Sequence, residues 1–403
     1  MSTTIYHHVV ITAGISLFAA TNVYGKLARD QELFRFDRSN PLPLEHETEE
    51  EARLRWADFC RNADPALAKA KPEHISAEFS LLNVLEKQKR LGKNPQVTLI
   101  VTNTLGGRGS AEFIARLLRI TFGAEVRTKI IDDLDVNQPT MLLRSLGQFM
   151  QIVAQELDGK DPSFTCFAPV GGYKVMTSLG YLAGAYMGFP TAYLHEDNQI
   201  LHEVPAVPIQ IEYNELAKFA PLLRKAQRTS LEWDQMSFAE QTYVNQHPYL
   251  FYRLETLVAL SAFGIFIAGR PEYAMLFNTQ VYASKAVEKE FQGSDREFLC
   301  GQVRELLKKL DNAEAYWGEL CHELTFEKLK GQDLVSHLYK GASKGTLVFR
   351  AAYRYDQDSD ALFLNRIWTN HGVYEREASR SSGLRAADQP EAWCDLSRDI
   401  WDR

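Results

Sequence analysis

Apolar positions follow three different rhythms along the chain. Up to residue 212, short apolar runs alternate with amphipathic stretches. IYHHVVITAG, VTLIVTNTLGG and SFTCFAPVGG each end in a small-residue or glycine turn, and PTAYLHED adds a fourth run. Continuous apolar runs of this length, bounded by turn residues, predict buried strands. Between them SAEFSLLNVLEKQKRLG and GSAEFIARLLRITFG repeat apolar residues at helical spacing and close on glycine, which predicts two helices. Strand alternating with helix predicts an α/β, doubly wound, Rossmann-like domain over residues 1–212, with its ligand at the carboxyl ends of the strands. Over 213–276 the rhythm becomes helical in EYNELAKFAPLLRKAQR and SFAEQTYVNQHPYLFYRLETLVALSAF. GIFIAG and AMLF then flank RPEY as two short strands around a tip, so a helical, winged-helix-like middle domain is expected. Over 277–380 a strand, a long amphipathic helix and a late hairpin predict a small α+β domain, leaving 381–403 as a C-terminal tail.

The hairpin is FRAAYRYDQDSDALFLNRIWTNHGVYE, residues 349–375. Phe349, Ala351, Tyr353 and Tyr355 alternate with Arg350, Ala352 and Arg354 on one side of an acidic turn, and Ala361, Phe363 and Ile367 alternate with Leu362, Leu364 and Arg366 on the other. A turn symmetric about Asp358 puts Arg350 opposite Arg366. Like charges facing each other destabilise a sheet, so such a pair is more easily explained by an anion between them. His371 and Tyr374 follow on the strand exit, and Lys340 and Lys344 precede the first strand. Together they outline a polyanion site, against the plainer reading of a solvated sheet face with scattered charges. His371, as the imidazole of the set, is the natural proton carrier among them.

Three strand ends matter in the first domain: Thr12 to Asn22, Thr102 to Ser110 and Pro169 to Lys174. Gly171 and Gly172 stand between a strand and a helix, where absent side chains let backbone N–H groups approach an anion, and Lys174 adds a full charge. That is a phosphate cradle, unless the glycines are ordinary turn chemistry. Neither G-x-G-x-x-G nor G-x-x-x-x-G-K-[ST] is present, which argues against a dinucleotide or a nucleoside triphosphate. His7 and His8 are neighbours in a strand, point to opposite faces and are read as structural.

Composition narrows the partners. The 403 residues suit two or three domains, and the net charge of -7 gives no global attraction to nucleic acid, so any RNA contact must come from a local patch or be delivered by a partner. Cys60, Cys166, Cys300, Cys321 and Cys394 are odd in number and form no C-x-x-C, which points to reduced thiols in the cytoplasm, with Cys321-His322 a surface coincidence. MSTTIYHHVV lacks a basic leader, and LVALSAFGIFIAG is too short to span a bilayer, so neither export nor a membrane is expected.

TAGISLFAATN, the SAEFSLLNVL helix, VTLIVTNTLGGRGSAE and above all APVGGYKVMTSLGYLAGAYMGFPTAYLHEDNQILHEVPAVPI resemble the CARF sensor domain of CRISPR-associated effectors. The resemblance covers residues 1–212 and implies a homodimer that binds a cyclic oligoadenylate, cyclic tetra-adenylate foremost, across its two-fold axis. It implies Gly14, Ser16, Asn103, Thr104, Gly171, Gly172 and Lys174 as the ligand-lining residues, with Ile15 where relatives often have Thr. The stretch from NTQVYASKAVEKEF to residue 378 resembles RelE-type toxins: FRAAYR matches their arginine strand, NHGVYERE their terminal tyrosine segment and LYKGASKG their basic approach. That resemblance implies a metal-independent messenger RNA interferase acting in the ribosomal A site, through attack of a ribose 2′-hydroxyl on the adjacent phosphate. Arg350, Arg366, Lys340 and Lys344 would steady the phosphate, with His371 and Tyr374 moving protons or stacking on a base. Such a type III CRISPR ancillary effector requires no cofactor besides its activator, and its partners are a second copy, the ribosome and messenger RNA. Two other readings stand beside it. Arg366 to His371 fits the R-x4-H signature of HEPN ribonucleases, which cut free RNA, and a winged-helix regulator would bind without cutting.

Overall fold

The structure, a computed structural model, describes residues 4–18, 22, 35–37, 40–42, 48, 50–52, 54–55, 58, 75–131, 139–195, 200–321, 336–378 and 393–401. The protein is mixed α/β and divides into two compact units. The first comprises Met1–Ile211 with Pro248–Phe251 and Leu260–Ile267. The second comprises Glu212–His247, Tyr252–Ala259 and Ala268–Arg403. Among the described residues no helix is long and apolar enough to cross a membrane.

The first unit is built on β1 (Tyr6–Thr12), β2 (Leu91–Thr102), β3 (Glu125–Ile131), β4 (Thr165–Ala168), β5 (Thr191–His195) and β6 (Ile200–Val204). Their order in the sheet is β3-β2-β1-β4-β5-β6, all parallel except the antiparallel edge strand β6. Val9, Val10 and Ile11 of β1 are all buried, as a strand covered on both faces requires. Helices α1 (Ala77–Lys87), α2 (Leu105–Phe122), α3 (Pro139–Leu157) and α4 (Lys174–Tyr186) connect the strands. Ser76 caps α1 by accepting from the Phe79 N–H, and Thr104 caps α2 by accepting from the Gly107 N–H. Gly123 ends α2 at φ +62°, as its position after the apolar repeat predicts. Gly92 does not end α1: it lies inside β2, and the chain reverses at Lys89 with φ +57°. The chain order of the strands switches direction between β1 and β4, the place where sheets of this kind leave a crevice.

GIFIAG is a helix, Ala262–Ala268, rather than a strand, and AMLF is also helical. The helix lies in the first unit against α3, where Gln151 donates to the Ile265 carbonyl at 2.8 Å, and Gly264 lies so close to Leu250 that a Cβ would stand 2.2 Å from its carbonyl oxygen. The hairpin of the middle segment falls earlier, at Phe251–Leu254 and Leu257–Leu260, within a stretch whose apolar density predicts helix. Glu255 at φ +54° makes its turn, and the second strand pairs with Leu231–Glu232.

The second unit contains α5 (Ala220–Arg228), α6 (Phe238–Gln246), β7 (Gln280–Ala283), α7 (Lys285–Glu290), α8 (Arg296–Leu310), α9 (Ala313–Leu320), β8 (His337–Lys344), β9 (Leu347–Asp356), β10 (Ala361–Trp368), α10 (His371–Ala378), β11 (Cys394–Asp395) and α11 (Ser397–Trp401). Its sheet runs β8-β9-β10-β7-β11, with β7 and β10 parallel and the other neighbours antiparallel. One face carries a core of Leu299, Val303 and Leu306 from α8 against Phe349, Ala351, Leu362 and Leu364. The other carries a smaller cluster of Leu338, Ala352, Trp368 and Tyr374. The residues expected as a tail contribute: β11 extends the sheet, and Ile400 is fully buried. Cys321, expected at the surface, is 1% exposed with its Sγ 3.5 Å from His337 Nδ1, while His322 lies outside the described residues.

Candidate functional site

At the switch between β1 and β4 two turns interlock. The Gly171 N–H donates to the Thr12 carbonyl at 3.0 Å, and the Thr12 hydroxyl donates back to the Gly171 carbonyl at 2.8 Å. A Cβ on Gly14 would stand 2.5 Å from the Gly172 nitrogen, and one on Gly171 would stand 2.6 Å from the Thr12 oxygen and 2.7 Å from the Gly14 nitrogen. Gly172 itself has φ +92°, a conformation that side chains other than glycine's seldom allow. Both backbones meet only because neither carries a side chain. From α2 the Ser110 hydroxyl donates to the Gly14 carbonyl at 2.7 Å and fixes the first turn from the side.

Past Gly172, α4 begins at the exposed Lys174, and Tyr173 before it makes no side-chain capping bond. The Met176 N–H of this first turn donates to the Tyr173 carbonyl at 2.8 Å, and the start of α4 sets the positive end of the helix beside a lysine, the arrangement an anion seeks. Gly14, Ser16, Gly171 and Gly172 are brought together. Asn103 and Thr104 lie at the end of the neighbouring β2, and there the Thr104 hydroxyl is engaged as the cap of α2. The Asn103 side chain accepts from Arg108.

Sequence reasoning missed the residue behind this site. Glu78, in the first turn of α1, is fully buried. Its Oε1 accepts from the Gly14 N–H at 3.0 Å and its Oε2 from the Ser16 hydroxyl at 3.3 Å. Burial pushes its carboxyl above the usual range, against the pull of hydrogen bonds from its own and the Gly14 N–H and from the Ser76 and Ser16 hydroxyls. An acid at the start of a helix ordinarily reads as a solvated residue favoured by the dipole, so the sequence gives no sign of it.

In the second unit the hairpin forms, but in a different register. Arg350 lies opposite Trp368, not Arg366, because the turn centres between Asp358 and Ser359 rather than on Asp358 and the strands shift once more between Ala352 and Tyr353. The cation that faces Arg350 is Lys340, which lies on β8 rather than before the sheet. Pairing therefore lines up Lys340, Arg350 and Trp368 in one row and Leu338, Ala352 and Arg366 in the next, on the same face. Lys344, beyond a further shift, pairs with Leu347 and stands apart. His371 and Tyr374 are on α10, not on a strand exit, and Asn370 caps that helix by accepting from the Gly372 and Val373 N–H groups.

Tyr374 is buried against this face, 5.4 Å from the Trp368 ring and with the Arg350 guanidinium 5.9 Å from its centroid; the exposed His371 ring is 6.5 Å away. Five of the expected residues thus gather around one face. R-x4-H straddles a strand and a helix start, not the single helix that a HEPN reading needs. Arg366 is held by Glu377 at 2.7 Å, and the same carboxylate oxygen accepts from the Trp368 indole. A cleft of about 540 Å³ opens alongside, lined by Ser284, Glu290, Asn365, Arg366, Trp368 and Asn370 among others.

Arg350 is 5% exposed and donates to the Gly341 and Phe349 carbonyls at 3.0 and 2.8 Å. Arg350→Ala is therefore expected to lower stability by about 1–3 kcal/mol, the cost of leaving a buried acceptor without its donor. Urea unfolding checks this, and an unchanged midpoint would mean that solvent satisfies both carbonyls.

Residues 73–207 match the family model of a CRISPR-associated protein (Cas_APE2256). No curated protein matches the chain. The matched segment runs from before α1 through β6, and so includes Glu78, Asn103, Thr104, Gly171, Gly172 and Lys174; over that segment the chain is similar to CRISPR-associated proteins.

Proposed function

We propose that the chain is a CRISPR effector that binds a cyclic oligoadenylate as a homodimer and then cleaves messenger RNA on the ribosome. The observation that carries this reading is the interlocked pair of glycine turns at the strand-order switch, with an uncapped helix start and Lys174 beside it. A cyclic oligoadenylate is a ring of phosphodiesters, and a two-fold pair of such cradles presents the positive start of α4 and a lysine to opposite sides of the ring, while the Gly14 and Gly171 N–H groups, taken by Glu78 and Thr12, hold the turns in shape. Cyclic tetra-adenylate, like every even-membered ring, carries a two-fold axis that two copies can share. The match to a CRISPR-associated family over residues 73–207 takes in Gly171, Gly172 and Lys174 and supports a CRISPR setting for the site.

For the second unit, the order strand, helix, helix and antiparallel strands supports the likeness to RelE-type toxins, as does the row of Lys340 and Arg350 with Arg366 next to it. Cations on one face suit the charge that builds on a phosphate under attack by a 2′-hydroxyl. His371, exposed at the start of α10, is the group there free to exchange protons with substrate. With a net charge of -7 the protein captures free RNA poorly, which favours ribosome-bound message.

Titration of the full-length protein with cyclic tetra- and hexa-adenylate, followed by mapping of message ends on translating ribosomes, tests both halves. Binding is expected with about fivefold weakening in Lys174→Ala, since one exposed cation near a phosphate contributes on the order of 1 kcal/mol. No heat with any ring would overturn the sensor, and binding without message cleavage would leave a regulator that cuts nothing.

A further inference from the structure

Resting on the reading of the glycine turns as a cyclic oligoadenylate site, we propose that Glu78 is a positioning residue that links ligand capture to proton uptake: in its neutral form it holds the Gly14–Ser16 turn from behind, and a phosphate in front of that turn requires it to stay neutral.

The geometry puts one carboxyl at the hinge of both turns. Glu78 Oε1 receives the Gly14 N–H at 3.0 Å, and Oε2 receives the Ser16 hydroxyl at 3.3 Å. A Cβ on Gly171 would stand 2.4 Å from Oε1, so the carboxyl is in contact with the second turn as well as the first. The phosphate cradle and the carboxyl therefore lie on opposite sides of the same few backbone atoms. Among the described residues the groups that bond to the carboxyl are uncharged: the Gly14 N–H and Ser16 hydroxyl after β1, and its own N–H and the Ser76 hydroxyl at the start of α1. The backbone of Gly171 before α4 completes this set. Arg108 on α2 and Lys174 on α4 are exposed.

A fully buried carboxylate bonded, among the described residues, to neutral groups alone is costly, and burial already biases Glu78 toward its protonated form. A protonated carboxyl still accepts from Gly14 and Ser16, so the turn keeps its shape when the charge is gone. An anion arriving a few ångströms away through protein of low polarity adds repulsion against the ionised form only, which raises the affinity of Glu78 for its proton further. By linkage, ligand binding then takes up a proton wherever the pH lies between the free and liganded values. Affinity falls as pH rises through the free value and levels off above the liganded one. Phosphodiesters do not titrate near neutrality, so the ring supplies no competing proton.

The test is calorimetric titration of the full-length protein with cyclic tetra-adenylate across pH 5.5–8.5, in two buffers of different ionisation enthalpy, for wild type and Glu78→Gln. Gln keeps the acceptor at Gly14 and cannot ionise. Wild type is expected to take up a fraction of a proton and to lose roughly tenfold in affinity across the range, the size of one screened charge pair at this separation. Glu78→Gln is expected to bind with a smaller pH dependence and no uptake assignable to this site. Equal proton counts and equal pH profiles in the two proteins would overturn the role of Glu78. If Glu78→Gln fails to fold, wild type alone decides: a buffer-independent enthalpy at every pH overturns the linkage, and measurable uptake supports it. Absence of binding at any pH defeats the ligand reading itself, whereas pH-indifferent binding defeats only the role of Glu78.

Discussion

Asp360→Ala is expected to destabilise the second unit by about 3–5 kcal/mol, the scale for removing one partner from a buried charge pair. Asp360 and Arg224 are each 1% exposed and 2.6 Å apart. Arg228 reaches the other carboxylate oxygen at 2.6 Å, as does the Tyr355 hydroxyl, and Thr279 donates to it at 3.3 Å. Arg224 spends its remaining donors on the Leu276 and Ser359 carbonyls. Arg224 depends on this carboxylate for its countercharge, so the substitution strands it, whereas Arg228 keeps Asp311 at 3.2 Å. Asp360 also adopts φ +50°, which alanine tolerates less well than aspartate.

Burial pushes the Asp360 carboxyl up, but hydrogen bonds from Arg228 and Tyr355 and the charges of Arg228 and Arg224 outweigh it and hold it below its ordinary range. Its folded value is therefore the lower one. The contribution is complete above the unfolded value near 4 and is lost as pH falls through the depressed folded value. Tyr355 moves the other way, pushed up to about 12 by burial and by the neighbouring carboxylate. Trp233, Trp317, Trp368, Trp393 and Trp401 all lie in this unit, so urea unfolding followed by tryptophan fluorescence reports it. A loss under 1 kcal/mol at pH 7 would mean that water already shares these charges.

The second large effect is expected from Gly171→Ala. The added methyl would lie 2.4 Å from Glu78 Oε1, 2.6 Å from the Thr12 carbonyl oxygen and 2.7 Å from the Gly14 nitrogen. Two of the three are backbone atoms of the first turn, so relief requires the turns themselves to separate. Overpacking of that kind costs on the order of 1–3 kcal/mol. Because the same turns form the proposed cradle, cyclic oligoadenylate affinity should fall by about a hundredfold or more, some 2.7 kcal/mol. Gly301→Ala is the control. It lies within α8, a Cβ there meets nothing within 4 Å, and helix propensity should leave it neutral or slightly stabilising. Wild-type affinity in Gly171→Ala would remove the glycine turns from the ligand site.

What could be read in the sequence was local. Apolar runs ending in Gly marked β1, β2 and β4, and the switch between β1 and β4 then put Gly14 beside Gly171. Register was not local. A turn centred between Asp358 and Ser359 moved the partner of Arg350 from Arg366 to Ile367, the shift between Ala352 and Tyr353 moved it on to Trp368, and no pattern of alternation announces either. GIFIAG is apolar and short, and such a run is helix or strand depending on what it meets; here α3 and Leu250 receive a helix. Glu78 and Asp360 escaped notice for a shared reason: a carboxylate is presumed solvated, and only the tertiary structure supplies the groups that bury each of them.

The position of β7 has a consequence for synthesis. Its neighbours in the sheet are β10 and β11, both translated long after it, and the Trp401 indole donates to the Thr279 carbonyl at its start. Until those segments have left the exit tunnel, β7 has two open edges and Ile400 has not yet joined its core. Contacts so distant in sequence form late and slowly. If the second unit does attack ribosomes, the ribosome making the chain is spared for as long as the sheet lacks its last strand.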